Sequence, residues 1–372
     1  MRRSISFTIL FFVMLSVLVS CYQSHKRELD LAYTLAESKP DSALAFLNRI
    51  NQGKLSDKDM AKYALIYYMA QDKSGLDVDN DSLIRIAYDW YGEHQDDSLY
   101  ASSLYYMGKY FLLNDSMEQA KSCLEKSYSI SDSLHNMNLK CLALDKLIEV
   151  EEQLAPYKAL RYAKDLVKMY ESMPNVSIYN KVAARLRLCD NFMFVDSLRQ
   201  ALCEGQIALK LAMKDADRNL YSFVCQDLAN VYEKVGEKDS CLFYARQAYS
   251  LNGTDRLSCQ LMLASAYISV DSIERAFAIL KQATPKTPED RYSVFFMQSQ
   301  AAMKTSNYML AKTFGDSANS CLQNMYRSAL QAKIDYYTSF LKKESERAKM
   351  QGKAEMQRWV FGLIVLLGLI II

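Results

Sequence analysis

The chain has 372 residues, more than the roughly 100 to 200 of a typical single domain, so we expect several domains or one repeat array. Glycine (11) and proline (5) are scarce and 50% of the residues are hydrophobic, a composition that favours a helical chain. Arg2 and Arg3 supply the whole formal charge of +2, so the chain after them is formally neutral. This balance argues against a broad nucleic-acid-binding surface, which needs an excess of Lys and Arg.

Residues 1–20 have the pattern of a signal peptide. Arg2 and Arg3 precede an apolar run from Ile5 to Val19, which is shorter than the about 20 residues of a membrane span. The run ends in a tetrad that resembles the bacterial lipobox: Leu18, Val19, Ser20 and Cys21. The resemblance implies acylation of Cys21 and attachment to a bacterial membrane. No acidic cluster follows Cys21, so a periplasmic position is favoured; a plain signal peptide and an uncleaved anchor are the alternatives.

The chain from residue 26 onward repeats one helix-start signal. Residues 26–38 have helical period, and Pro40 with the Asp41-Ser42 pair opens a second helix through Ile50. Asp or Ser at this place accepts hydrogen bonds from the unpaired N–H groups of the first helical turn. The same dipeptide recurs at intervals of about 40 residues or about twice that, at Asp81-Ser82, Asp115-Ser116, Asp196-Ser197, Asp239-Ser240 and Asp271-Ser272.

The segment from Leu104 to Ser127 shows the repeated unit most clearly. An apolar or small residue recurs every three or four positions on both sides of a polar break at Asn114 to Ser116. This period predicts two amphipathic helices joined by a turn. We interpret the rest of residues 21–325 as imperfect copies of this helix hairpin.

These hairpins resemble tetratricopeptide repeats, in which a small residue on the first helix precedes an alanine on the second by twelve positions. Gly108 and Ala120 match that pair. Two further copies match at Leu228, Ala229, Tyr232, Gly236, Cys241 and Ala248, and at Leu263, Ala264, Tyr267, Ala276, Leu280 and Ala283. A weaker copy comprises Ser299, Ala311 and Ala318. The segments 57–95, 136–173 and 177–214 match poorly. The resemblance implies an all-α fold, an α-solenoid of such hairpins over residues 21–325.

The resemblance also implies a concave surface lined by the first helices, suited to a protein or an extended peptide. The groove positions of the family correspond to Tyr105, Lys109, Gln226, Asn230, Glu233, Leu261, Ser265, Phe296 and Gln300. Asn230 matches one residue of the carboxylate clamp in chaperone-binding members, but Tyr105 and Gln226 stand where lysines would be needed. We therefore expect no recognition of a C-terminal carboxylate. The alternative is that all nine are ordinary helix positions.

The sequence predicts no catalytic residue, cofactor or metal. It lacks the nucleophile-elbow, phosphate-loop, zinc-protease and dinucleotide motifs, so we expect a protein that is not an enzyme. His25, His94 and His135 are isolated from one another and from any cysteine pair. Eight cysteines follow Cys21, and their helical positions favour buried thiols over disulfides. The 26 tyrosines fall mainly in helical runs, where they would fill the space between helices.

After the solenoid we predict a helical stalk over residues 326–357 and an apolar segment over 358–372. Leu330, Ile334, Tyr337 and Leu341 have a 4-3-4 spacing over about two heptads, so a homodimer through the 326–341 helix and a monomeric stalk are both open. Residues 358–372 are shorter than a full span, and we interpret them as a truncated transmembrane helix or a tail in the bilayer. This segment and the acyl group on Cys21 are the two predicted membrane contacts.

The charges of the stalk conflict with the signal peptide over topology. Lys and Arg exceed Glu before residue 358, and the positive-inside rule would place that side in the cytoplasm. We favour the signal peptide, because nothing follows Ile372 for comparison. The layout resembles bacterial membrane-bound tetratricopeptide regulators. Two functions follow: a membrane-anchored, non-catalytic interaction scaffold that faces the periplasm, or the sensor arm of a transmembrane regulator whose cytoplasmic output domain is absent from this chain.

Overall fold

The computed structural model describes residues 26–76, 82–94, 96–251 and 256–331, together with single positions up to 352. Within these residues the regular structure is helical throughout, as the sequence predicts. The chain divides into two compact units, Met1–Ala216 and Asp217–Ile372. The predicted signal peptide, Cys21 and the 358–372 segment lie outside the described residues.

Unit 1 contains ten helices in its described part. They are α1 (26–38), α2 (Pro40–Leu47), α3 (Asp57–Lys73), α4 (Ser82–His94), α5 (Asp97–Leu113), α6 (Met117–Ser133), α7 (Met137–Leu154), α8 (Pro156–Ser172), α9 (Ile178–Phe194) and α10 (Leu198–Ala212). From α3 onward, consecutive helices pack as hairpins: α3 with α4, α5 with α6, α7 with α8, and α9 with α10. Between these hairpins, α4 packs against α5, α6 against α7, and α8 against α9.

Unit 2 repeats this arrangement with six described helices. They are α11 (Arg218–Val235), α12 (Lys238–Ser250), α13 (Arg256–Ser269), α14 (Ile273–Lys281), α15 (Pro288–Lys304) and α16 (308–331). First helices contact first helices within each unit, as α5 contacts α7 and α11 contacts α13. Hairpins stacked in one direction through such contacts form an α-solenoid, so the predicted fold class is confirmed.

Small residues let the two helices approach in several of the hairpins. Gly108 on α5 faces Leu124 on α6, and a Cβ built on Gly108 would lie 2.7 Å from the Leu124 Cγ atom. In unit 2, Ala229 and Cys241 are buried in one cluster, and Ala264 and Ala276 in another. The twelve-residue spacing in the sequence therefore marks the closest helix–helix contact of these hairpins.

A serine hydroxyl reinforces this packing in two hairpins. The Ser127 hydroxyl on α6 donates to the Ala101 carbonyl on α5 at 2.8 Å. In unit 2 the donor is on the other helix, where the Ser222 hydroxyl of α11 donates to the Ala248 carbonyl of α12 at 3.1 Å. Both hydroxyls are buried, so each bond satisfies a polar group that would otherwise be costly to bury.

Three of the Asp-Ser pairs occupy turns within hairpins, but they do not act as we expected. Asp115, Asp196 and Asp271 adopt left-handed backbone conformations with φ of 52°, 57° and 55°. The serines that follow begin the second helices without accepting a hydrogen bond from them. Asp tolerates this conformation better than most residues, and Gly236 takes the same place between α11 and α12 with φ 84°. The dipeptide thus marks the end of a first helix rather than a side-chain cap of the second.

The other Asp-Ser pairs lie inside or next to helices. Asp41 is in the first turn of α2, and Asp239 is in the first turn of α12. Ser82 is the first residue of α4. These three occurrences are therefore unrelated to the left-handed turns, although their spacing along the chain is similar.

A fully buried glutamate joins three successive helices of unit 1. Glu151 on α7 has no exposed surface. Its Oε1 atom forms ion pairs with the Lys121 ammonium on α6 at 3.0 Å and the Lys158 ammonium on α8 at 2.6 Å. Burial alone would raise the pKa of Glu151, but hydrogen bonds from the two lysines lower it below the ordinary value. The carboxylate therefore stays charged at neutral pH and holds the hairpins α5/α6 and α7/α8 together.

The eight cysteines in the described part of the chain are free thiols, as the sequence favours. Cys123, Cys141, Cys189, Cys225, Cys241 and Cys259 are buried, while Cys321 is half-buried and Cys203 is exposed. The described helices include none that is long and apolar enough to cross a bilayer. Beyond α16, residues 334, 335 and 338 are helical, and α16 itself continues past residue 326, where the stalk was predicted to begin. Leu330 and Ile334 are about half exposed there.

Replacing Gly108 with alanine should destabilise the protein by about 1–3 kcal/mol, because the added Cβ would overlap the Leu124 side chain. Gly315→Ala is the matched control, since its Cβ would lie 3.6 Å from the Ser299 hydroxyl, an ordinary contact. Urea unfolding followed by circular dichroism measures both. Equal stability of the two variants would contradict the close approach at Gly108.

Candidate functional site

The predicted groove residues of unit 2 all lie on first helices. Gln226, Asn230 and Glu233 are on α11, Leu261 and Ser265 on α13, and Phe296 and Gln300 on α15. α11 contacts α13 and α13 contacts α15, and the prediction places these residues on one face of the unit. We call this face the unit 2 groove face.

Hydrogen bonds connect the first two helices of this face. The Gln226 amide donates to the Ser258 hydroxyl, and the Ser265 hydroxyl donates to the Glu233 carboxylate. Leu261 is half-buried and packs against the cluster that contains Ala264. The two hydrogen bonds therefore join α11 to α13, whereas Leu261 packs toward α14 and α15.

The remaining residues of the face are more open. Phe296 is 45% exposed and its ring stacks on Tyr292 with centroids 5.9 Å apart. Gln300 is exposed one turn further along α15, and Asn230 is half-buried on α11. An amide can both donate to and accept from a peptide backbone, and an exposed aromatic stack offers apolar surface. The chemistry of this part suits an extended chain segment.

The two predicted groove residues of unit 1 lie on α5, and both side chains already make contacts within the unit. Tyr105 is only 5% exposed. Its pKa lies well above the usual value, mainly because the hydroxyl is buried and to a smaller extent because the Asp72 and Asp145 carboxylates are near. Lys109 forms an ion pair with Asp72 on α3 and lies 5.9 Å from the Tyr105 ring centroid. Tyr105 thus serves packing, and Lys109 joins α5 to α3.

The structure contains a cluster of charged side chains on α7 and α9 that the sequence did not predict. The Arg187 guanidinium on α9 lies 3.2 Å from Asp145 and 3.9 Å from Glu152, both on α7. The Asn191 amide donates to Glu152 at 2.8 Å. The segments 136–173 and 177–214 matched the repeat pattern poorly, so no groove position was assigned in them.

One signal in the sequence could have located part of this group. Cys189 precedes Ala201 by twelve positions, the spacing of Gly108 and Ala120, and its thiol donates to the Ala201 carbonyl at 3.2 Å. Cysteine is small enough for this contact, which sets the register of α9. On α7, Leu147 stands twelve positions before Ala159, and a large residue there gives no such signal.

With the register known, the residue that follows the small residue of a first helix is polar in both units. In unit 1 these residues are Lys109 and Asp190. In unit 2 they are Asn230, Ser265 and Gln300. Lys109 and Ser265 each contact the preceding first helix, which places this row on the face where first helices meet.

Two carboxylates next to Arg187 have raised pKa values. Burial raises the pKa of Glu152, although Arg187 lowers it in part. Burial also raises the pKa of Asp190 from 3.8 to about 6, with Arg187 opposing and Glu152 adding to the effect. Both shifts have the same main origin, because burial removes water from each carboxylate and Arg187 offsets only part of that effect. No cluster of three or more potential metal ligands occurs in the described ranges.

Solved structures with the same arrangement are tetratricopeptide-repeat proteins. A Rap protein complexed with Competence and Sporulation Factor aligns at 13% identity with a TM-score of 0.61, over 85% of this chain and 94% of that one. The apo form of RapI aligns at 10% identity with a TM-score of 0.60, over 82% of this chain and 99% of that one. The chain has the tetratricopeptide-repeat fold.

A third protein of this fold is a larger one. The STAND signal-transduction ATPase with a tetratricopeptide-repeat sensor from Pyrococcus horikoshii aligns at 13% identity with a TM-score of 0.59. The alignment covers 82% of this chain and 47% of that one. No family model matches the chain, and no curated protein matches its sequence. At these identities the likeness to solved structures concerns the tetratricopeptide-repeat fold and not an activity.

Replacing Asp190 with asparagine should remove a pH dependence of folding. A carboxyl with a raised pKa stabilises the folded state below the unfolded pKa of 3.8 and loses that stabilisation as pH rises through about 6. Relative to Asp190→Asn, the wild type should therefore lose about 1–3 kcal/mol between about pH 4 and pH 7. Urea unfolding across this range measures the difference. Parallel stability curves for the two proteins would contradict the burial of an unpaired charge at Asp190.

Proposed function

We propose that the chain is a non-catalytic interaction scaffold that holds a partner protein through an extended segment of its backbone. The observation that carries this proposal is the row of polar residues after the small contact residues of the first helices. Asn230 and Gln300 carry amides on the unit 2 groove face, and the exposed Phe296 ring, one turn before Gln300 on α15, stacks on the half-buried Tyr292. Backbone-binding amides beside apolar surface are a common means of binding extended segments.

We further propose that the scaffold is anchored to a bacterial membrane with its repeats in the periplasm. The lipobox-like tetrad ending in Cys21 and the apolar residues 358–372 support this proposal. Two membrane attachments would confine partner binding to the membrane surface.

A second candidate is the sensor arm of a larger regulator. The observation that favours it is that this chain aligns with only 47% of the STAND ATPase, whose tetratricopeptide-repeat sensor is part of a larger chain with numerous domains. A reading frame that continues past the codon for Ile372 into a DNA-binding or catalytic domain would support this candidate. A stop codon at that point would favour the scaffold.

Peptide binding should depend on the open residues of the unit 2 groove face. Peptides selected from a random library against the purified full chain in detergent should bind at about 1–100 μM, and Asn230→Ala with Gln300→Ala should weaken them about tenfold or more. Gln206→Ala with Asn319→Ala is the control, since both side chains are exposed on second helices. Thermal unfolding of both variants should match the wild type. Equal binding by the two double variants would rule out this face.

The exposed Cys203 thiol offers a test of the orientation. If the repeats face the periplasm, a membrane-impermeant maleimide added to intact spheroplasts should label Cys203, the exposed thiol on α10, and Cys203→Ser should lose most of the label. Cys21→Ser should abolish incorporation of radiolabelled palmitate. Labelling of Cys203 only after lysis would contradict the periplasmic position, and continued palmitate incorporation would contradict acylation at Cys21.

A further inference from the structure

The facing surfaces of α7 and α9 in unit 1 carry an excess of acidic side chains. Asp145, Glu149 and Glu152 lie on α7 and Asp190 lies on α9. We call these four residues the acidic face. Two cations accompany them: Arg187 contacts Asp145 at 3.2 Å and Glu152 at 3.9 Å, and Lys146 contacts Glu149 at 2.7 Å. The face therefore keeps a net negative charge of about two at neutral pH when all its groups are ionised.

The uncompensated charge is centred on Asp190. Burial and the Glu152 carboxylate hold the pKa of Asp190 at about 6, and Arg187 on the same helix is the cation that acts on it. The Glu152 carboxylate already accepts a hydrogen bond from the Asn191 amide at 2.8 Å. A further cation placed between α7 and α9 would relieve repulsion that Arg187 alone does not balance.

Asn191 gives a second and independent indication of a missing group. Its side chain is 1% exposed, and its Nδ2 donates to Glu152 and, at 2.9 Å, to the Arg187 carbonyl. Its Oδ1 is buried beside these groups and has no hydrogen-bond partner among the described residues. A buried acceptor without a donor is unfavourable, and the ammonium of lysine or the guanidinium of arginine supplies several donors together with positive charge.

We propose that the acidic face binds a lysine or arginine side chain of the partner segment. The proposal rests on the scaffold function and specifies the chemistry of its partner. A basic side chain complements the surplus carboxylates and brings donors to the buried Asn191 region. The groove face of unit 2 presents amides and an aromatic stack instead, so the two units would read different parts of a partner: charge in unit 1, and backbone with apolar groups in unit 2.

The test uses fluorescent Gly/Ser peptides that carry lysine, glutamine or glutamate at the same positions, with the full-length chain in detergent. Fluorescence anisotropy should show the lysine peptide binding at least about tenfold more tightly than the glutamine peptide, with the glutamate peptide weakest. The preference should fall as salt is raised. It should also fall as pH is lowered from about 7.5 to 5, because Asp190 takes up a proton as pH passes its pKa.

Glu149→Gln with Asp190→Asn should reduce the preference for lysine to about threefold or less, since the two substitutions bring the net charge of the face from about −2 to zero. Glu93→Gln with Glu118→Gln is the matched control: it changes the net charge equally at exposed positions of α4 and α6 and should keep the preference. Carboxyl NMR provides a second readout, in which the lysine peptide should lower the pKa of Asp190 in the wild type.

Equal binding of the lysine and glutamine peptides by the wild type would overturn the inference. So would an unchanged preference in the Glu149→Gln, Asp190→Asn variant that unfolds at the wild-type temperature. If the peptides bind equally and Asn230→Ala with Gln300→Ala weakens them, the scaffold function stands and only the acidic face is refuted. If none of these peptides and no library-selected peptide binds the wild type, both proposals fail.

Discussion

The close approach of the two helices in each hairpin is the constraint on which the rest of the structure depends. At Gly108 the space that a Cβ would occupy is taken by Leu124, and alanine, cysteine or serine fills the same place in four other hairpins. A residue larger than glycine at Gly108 would overlap Leu124 and press α5 away from α6. The residue that follows the small one is polar, and at Lys109 and Ser265 it contacts the preceding first helix. Packing inside the hairpin therefore determines what the groove face presents.

The two units use this common geometry for different surfaces. In unit 1, ions join neighbouring first helices, as Lys109 joins α5 to α3 and Arg187 joins α9 to α7. In unit 2, hydroxyls and amides take that role, as between Gln226 and Ser258. Neutral groups lose less on desolvation than ions, so the unit 2 face can be covered by a partner at lower cost. The unit 1 face gains more from a partner of opposite charge.

Much of the fold could be predicted from helical period and the twelve-residue spacing. Gly108, Ala229 and Ala264 gave the register of three hairpins directly, and the buried thiols followed from their helical positions. The register of α9 was missed because Cys189 replaces the usual glycine or alanine, and that of α7 because Leu147 is large. The acidic face could not be predicted for this reason. Its raised pKa values also depend on desolvation, which arises only when α7 and α9 are packed together.

The hydrogen bonds of Ser127 and Ser222 have a consequence for how such chains diverge. The first runs from the second helix to the first and the other in the opposite direction, yet both close the same contact against an alanine carbonyl. Natural selection can therefore preserve the bond while the serine exchanges sides, provided that one of the paired positions keeps a hydroxyl. A repeat consensus that scores each alignment position separately would record the exchange as two unrelated substitutions. Relatives of this protein would then be recognised more readily by paired positions than by single ones.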